Sequence, residues 1–256
     1  ITDCDTAAAG GLIIPDTIEG NPVTSIGNEA FWLCRSLTSI TMPDSITSIG
    51  NCAFRDCSSL TSITIPDEVT SIEYCTFDGC HSLTDVTIPS AVTTIGSRAF
   101  NLCRSLTRIT IPDGVTSIGD YAFDRCGSLT SITIPDRVTS IGEGTFEGCH
   151  RLTEILVASE NASYADINGV LFNSERTVLL KYPEGKTDGS YRIPDGVTGI
   201  WHRAFVDSDN LNSVTIPDSI TNIGIFAFGA CSSLTRITFE GTAPTVGEAA
   251  FRFLPD

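Results

Sequence analysis

The sequence is poor in positive charge, in methionine and in the residues of catalysis. It has two lysines, Lys181 and Lys186, one methionine, three histidines and two tryptophans in 256 residues. Lysine and arginine total 15 against 31 acidic residues, a formal net charge of −16. A field of that sign repels phosphate backbones and anionic leaflets, which argues against nucleic acid as a partner. No apolar run approaches the ~18 residues that a membrane-spanning helix needs, so no membrane span is expected in this segment. The chain opens at Ile1 without a basic n-region or an apolar h-region, and reads as a mature product or an excised segment with any signal or anchor outside it.

Motifs that carry chemistry are also missing. GxSxG, HExxH, P-loop and GxGxxG patterns do not occur, and "GEGTFEG" from Gly142 is a turn rather than a phosphate cradle. His81 and His150 share one phase of the repeat described below, three periods apart, and Arg35 and Arg104 fill that phase elsewhere. Three coils at ~4.8 Å per strand would separate the two histidines by ~14 Å, too far to share a metal or a reacting atom. No catalytic residue is assigned, and no enzyme is expected.

What is abundant is repetition. Phe31, Phe54, Phe77, Phe100, Phe123 and Phe146 step by 23, and Phe205, Phe228 and Phe251 resume the step after an interruption. Leucine keeps the same clock at Leu37, Leu60, Leu83, Leu106, Leu129, Leu152, Leu211 and Leu234, and isoleucine at Ile26, Ile49, Ile72, Ile95, Ile118, Ile141, Ile200 and Ile223. One such loop cannot bury this set alone, whereas stacked loops turn each column into a ladder inside a solenoid. Within a repeat, "LTSITIP" alternates like a strand and proline ends it. "PD" opens a turn, "VTSI" is a second short extended piece, and glycine punctuates. An N-cap residue type follows at Asn28, Asn51, Ser97 or Asp120, which predicts one or two helical turns over "xxAFxxC". The fold class expected is α/β, with short, mostly parallel strands and a brief helix in each coil.

Cys34, Cys57, Cys80, Cys103, Cys126, Cys149 and Cys231 share one phase. A cysteine fixed to one phase reads as a small buried apolar side chain, and the column from Cys34 to Cys149 is expected to be free thiols. Cys52 and Cys75 form a second short column where a disulfide is geometrically open.

The stretch "LTSITIPDSITSIGNCAFRDCSSL", Leu37 to Leu60, resembles the BspA-like leucine-rich repeat of bacterial surface antigens, in phase over essentially the whole chain. "INGVLFNSERTVLLKYPEG", Ile167 to Gly185, is similar to a hairpin module that such proteins carry. The resemblance implies a right-handed leucine-rich-repeat solenoid that is secreted or on the cell surface, adhesive, and without shared catalytic residues. Ser208 and Leu254 depart from it where cysteine is expected. The domain expectation is one solenoid over 1–256: an N-terminal cap over 1–22, repeats over 23–156 and 193–256, and over 157–192 an inserted β-hairpin projecting outward. Its two strands would be "NGVLFN" and "TVLLKYP", joined at "SER".

The functional expectation is a non-catalytic binding module for an extracellular protein or glycan ligand, adhering to host or matrix proteins or cell-surface glycans. Outward strand positions that change charge from coil to coil are the candidate contacts: Asp85, Arg108, Glu154 and Arg236. Lys181, Tyr182 and Trp201 form a second candidate patch beside the insert, because aromatic anchors favour interfaces and Trp201 stands where glycine is usual. The alternative is a structural spacer or calcium-stabilised stalk, with calcium bridging stacked carboxylates along Asp44, Asp67, Asp113 and Asp136. The plainer expectation for that column is that each Asp caps its own turn and faces water; otherwise no cofactor is expected. Ice binding through the outward threonine column Thr41, Thr64, Thr87, Thr110 and Thr133 is a remote alternative, since charges break that face.

Overall fold

The computed structural model describes residues 1–255. The chain divides into two compact units, Ile1–Leu129 with Arg137–Glu147, and Thr130–Asp136 with Gly148–Asp256. Each is a β-solenoid in which the strands of successive coils pair in parallel, one repeat apart. In the first unit Ala9–Ile13, Ser36–Thr41, Ser62–Thr64 and Asp85–Thr87 form one ladder. Ser71–Ile72, Thr94–Ile95, Ser117–Ile118 and Ser140–Ile141 form a second. The second unit repeats the arrangement with Ser190–Arg192, Ser213–Ile216 and Arg236–Phe239.

The columns read from the sequence are the core. Phe31, Phe54, Phe77, Phe100, Phe123 and Phe146 are buried and stack ring on ring, centroids 5.3–6.1 Å apart and nearly parallel. The separation exceeds the ~4.8 Å between strands, so the rings are offset, the arrangement that the aromatic quadrupole favours. Fully burying one such side chain contributes about 1.5–3 kcal/mol.

The expected helical turns do not form: among the described residues there is no helix. The stretch after glycine is instead a run of tight turns with two left-handed residues per coil, such as Glu29 and Leu33, Cys52 and Asp56, Tyr121 and Arg125. The reason lies in where the backbone N–H groups go. Those of Ala30, Trp32 and Cys34 bond three residues back in their own coil, while those of Glu29, Phe31 and Leu33 bond to Asn51, Ala53 and Arg55 carbonyls of the next coil. A helix would direct every N–H along its own axis and leave the neighbouring coil unpaired. A left-handed residue other than glycine costs about 1–2 kcal/mol, and the inter-coil bonds it permits, about 1 kcal/mol each, offset this. The supposed N-cap side chains also bond from coil to coil: Asn28 Oδ1 accepts the N–H of Asn51 at 2.8 Å, and Asp120 Oδ1 that of Glu143 at 2.8 Å.

The insert also departs from expectation. Val170–Asn173 and Val178–Lys181 do pair antiparallel, and Tyr164–Ile167 adds a third strand. Yet Val178–Lys181 then pairs in parallel with Gly199–Ile200 as an ordinary coil strand, and Val170, Phe172, Leu179 and Tyr182 are buried. The insert is longer than one repeat, and its second part is a coil in disguise. Tyr182 lies one repeat before Phe205 and stacks on it at 5.1 Å, and Tyr191 takes the strand position opposite Val214.

Candidate binding surfaces

Five column cysteines, Cys57, Cys80, Cys103, Cys126 and Cys231, show the same bond, to the carbonyl of the phenylalanine one coil back. The thiol of Cys57 donates to the Phe31 carbonyl at 3.0 Å, that of Cys80 to Phe54 at 3.1 Å, and that of Cys231 to Phe205 at 2.9 Å. The bond needs the protonated thiol, and burial ensures it by pushing Cys57 and Cys231 up to about 12 and Cys80 and Cys103 well above the ordinary thiol value. All ten cysteines, Cys52 and Cys75 included, are free. A nucleophilic or metal-binding cysteine would need the opposite environment.

Two threonine columns that the sequence reading passes over act in the same way. The hydroxyls of Thr47, Thr93, Thr116 and Thr139 donate to the Thr24, Thr70, Thr93 and Thr116 carbonyls, and those of Thr61 and Thr84 to Thr38 and Thr61. They lie beside the strands and lock coil to coil. The recurrence of threonine just before each strand pair is the available signal.

Of the expected outward positions, Asp85 and Arg108 are exposed on the first unit and Arg236 on the second, but Arg108 lies in a stretch that forms no strand. Glu154 is half-covered, because Gly169 of the insert sits against its Cβ and the Ile155 N–H bonds the Gly169 carbonyl at 2.9 Å. The second expected patch does not assemble. Tyr182 is buried in the aromatic stack and Lys181 lies beneath the surface, held by Glu184 at 2.9 Å. Of the three, only Trp201 is exposed. Its N–H bonds the Leu179 carbonyl as the Gly50 N–H bonds that of Ile26, but over a shorter step in sequence.

The carboxylate of Glu184 is buried and gathers Lys181 Nζ at 2.9 Å, the Gly148 N–H at 3.1 Å and His150 Nδ1 at 3.2 Å. Hydrogen bonding to Glu184 raises the His150 pKa, and burial raises that of Asp207 nearby. This is a structural clamp from the insert onto the turn at 148–150, and no sequence motif links its members. The aspartates of the Pro-Asp column face solvent, and among the described residues no three acidic, histidine or cysteine side chains are grouped to hold a metal.

One corner of the second unit has a composition of its own. Arg203 and Arg252 place their guanidinium carbons 5.9 Å from the Phe226 ring centre, and Arg252 lies 4.6 Å from that of Phe253. Trp201, Ile225 and Phe253 are half or more exposed. At the phases of Trp201 and Ile225 the first unit holds mostly Gly, Asn, Ser, Asp or Glu, and that replacement is the sequence signal. The first unit has a partial counterpart, with Arg98 5.6 Å from the Tyr121 ring centre, but Glu147 occupies the phase of Arg252.

Fold and surfaces together define a leucine-rich-repeat protein whose outward positions vary from coil to coil while its core columns do not. The signature of the BspA type leucine rich repeat region matches residues 24–153, 70–175 and 189–254 in six copies, and the chain belongs to that family. A leucine rich cell surface protein from Faecalibacterium prausnitzii A2-165 is similar over 94% of this chain and 72% of its own, at 34% identity and a TM-score of 0.75. A leucine-rich repeat protein from Bacteroides ovatus ATCC 8483 is 28% identical, with 95% and 72% of the two chains covered and a TM-score of 0.68. The pneumococcal vaccine antigen PcpA is 25% identical with a TM-score of 0.79, and the match covers 93% of this chain but 63% of the antigen. Sequence comparison with curated proteins finds no match.

Proposed function

We propose that the chain is a non-catalytic binding module of a bacterial cell surface, adhering to host or matrix proteins or to cell-surface glycans. The observation that carries this reading is the contrast between core and face. The inward columns hold the same residue type coil after coil, while the adjacent outward column runs Ser39, Ser62, Asp85, Arg108. A rigid sheet with interchangeable outward side chains is how a repeat scaffold presents a recognition surface. The similarity to a cell surface protein and to a vaccine antigen supports the extracellular setting.

The test is retention of the folded protein on immobilised matrix proteins and whole cells, with Arg108→Ala and Trp201→Ala variants checked by circular dichroism. Retention of the wild type and a loss of about 1–2 kcal/mol for a variant on the contact face are expected. A wild type that binds nothing overturns the adhesive reading in favour of a spacer.

A further inference from the structure

We propose that Cys52 and Cys75 form a peroxide-oxidisable dithiol that closes to a disulfide between adjacent coils of the first unit. Both thiols are free in the reduced protein, and their oxidation is independent of what the outward faces bind.

The fold sets the two residues side by side. Cys52 and Cys75 occupy one phase of the repeat, 23 residues apart, on neighbouring coils. The Cys52 N–H bonds the Tyr74 carbonyl at 2.8 Å and the Phe54 N–H that of Thr76 at 2.9 Å, so the two stretches run in register. Both cysteines have the same left-handed backbone, φ 55, so their Cα–Cβ bonds leave the chain in the same sense. Two residues on, the Phe54 and Phe77 rings lie 5.5 Å apart with planes 6° from parallel, which measures the step between these coils. That step falls within the roughly 4.4–6.8 Å between Cα atoms that a disulfide spans. The thiols also sense each other: burial raises the Cys52 pKa, and the next largest effect, a hydrogen bond with Cys75, opposes it.

The long cysteine column is in phase as well, but its sulfurs are committed. Cys57, Cys80 and Cys103 each direct the S–H to a phenylalanine carbonyl at 3.0–3.3 Å and have no exposure. Among the described residues neither Cys52 nor Cys75 donates to a carbonyl, and Cys52 is 7% exposed against 1% for Cys75. Cys52 is therefore the sulfur that meets a small oxidant first, and the charge of Arg55, three residues on, favours its thiolate. That thiolate attacks hydrogen peroxide: an S–O bond forms, the O–O bond breaks, and the departing hydroxide takes up the proton that the thiol released. The Cys75 sulfur then attacks the sulfenic acid: the S–S bond forms, the S–O bond breaks, and the Cys75 proton leaves with the oxygen as water. Two thiols and one peroxide give one disulfide and two waters. Burial pushes Cys75 up to about 12, so its thiolate is scarce and closure takes on the order of hours. The product ties one coil covalently to the next, across the nearest-neighbour interface on which a repeat array depends.

Oxidation of the full folded chain with hydrogen peroxide tests this, followed by catalase, denaturation in iodoacetamide and mass spectrometry of the unreduced digest. A peptide pair linked through Cys52 and Cys75, lighter by two hydrogens than the free pair and separated by dithiothreitol, is expected. The same treatment in urea should shift the links toward Cys52–Cys57 and Cys75–Cys80, which are closer in sequence, because only the fold brings Cys52 to Cys75. Cys52→Ala should abolish the link and leave Cys75 open to alkylation, and Cys34→Ala should leave the link in place. The site is overturned if both thiols remain fully alkylated after oxidation of the folded chain, or if Cys52 proceeds to the sulfinic acid without a link. It is equally overturned if the links in the folded chain join other cysteines, or if Cys52 joins Cys75 as readily in urea. A circular dichroism spectrum that persists while the link forms supports the site, and one that is lost before the link appears assigns the link to unfolded chain and overturns it.

Discussion

At the scale of single residues, the cysteine column shows how far a sequence phase can be interpreted. Recurrence at one phase identifies an apolar niche and free thiols, and the structure has both. What the thiol does there depends on the direction of one S–H bond to a carbonyl of the preceding coil, which no spacing rule contains. A buried thiol that is protonated and engaged as a donor is a poor nucleophile. Alkylation of the native protein at pH 8 followed by mass spectrometry should therefore leave Cys57, Cys80, Cys103 and Cys126 unmodified, whereas denaturation should expose all ten. Rapid native labelling of any of these four would show that the column opens on its own.

At the scale of the element, the strands are legible in the sequence and the turn runs are not. Alternating "LTSITIP" has few competing conformations, and proline fixes its end. The segment after glycine carries the letters of a helix start, but its structure is decided by the next coil, which takes up alternate N–H groups. No local rule places Leu33, Cys52 or Tyr121 in the left-handed region. The glycine that precedes most turn runs does have a readable purpose: a Cβ on Gly119 would collide with the Ser97 amide nitrogen of the preceding coil. Gly119→Ala is expected to destabilise the fold by roughly 2–3 kcal/mol or more, since it forces two coils apart. Gly199→Ala, whose Cβ would meet only Val178 side-chain carbons at 3.8 Å, should change stability by less than about 1 kcal/mol. Denaturant midpoints of the two variants check the contrast, and equal effects would mean that coil spacing is not set by this glycine.

At the scale of the molecule, the long-range period is the most legible feature and the insert the least. Tyr182 reads as a surface anchor because it stands in a stretch that breaks the pattern, although stepping back one repeat from Phe205 lands on it. The charge clamp around Glu184 is hidden for a different reason: its two halves, Lys181 with Glu184 and Gly148 with His150, come from separate stretches and share no motif. Glu184→Ala leaves Lys181 buried without its carboxylate, and a loss of about 3–5 kcal/mol is expected in urea unfolding. His150 adds a pH dependence of known sign. Its pKa is raised in the folded protein, so its contribution is fully present below the ordinary histidine value and disappears as pH rises through the raised one. The stability difference between wild type and His150→Gln should therefore be largest below the ordinary histidine value and shrink as pH rises above it. It should not exceed about 1 kcal/mol, because the imidazole is mostly exposed. A difference that grows with pH would contradict the pairing with Glu184.

The hydroxyl, thiol and amide bonds from one coil to the next have a consequence for how such a chain can change over generations. Each coil offers its neighbour the same donors and acceptors at the same heights, as Thr93 does in accepting from Thr116 while donating to Thr70. Any coil of the regular set is thus a compatible neighbour for any other. Unequal crossing-over between repeats in the gene removes or adds whole coils and leaves every contact a match, whereas a slip of a single position misaligns the aromatic stack, the thiols and both hydroxyl rows together. Length is free to vary in whole coils, and the outward letters can be reshuffled with it.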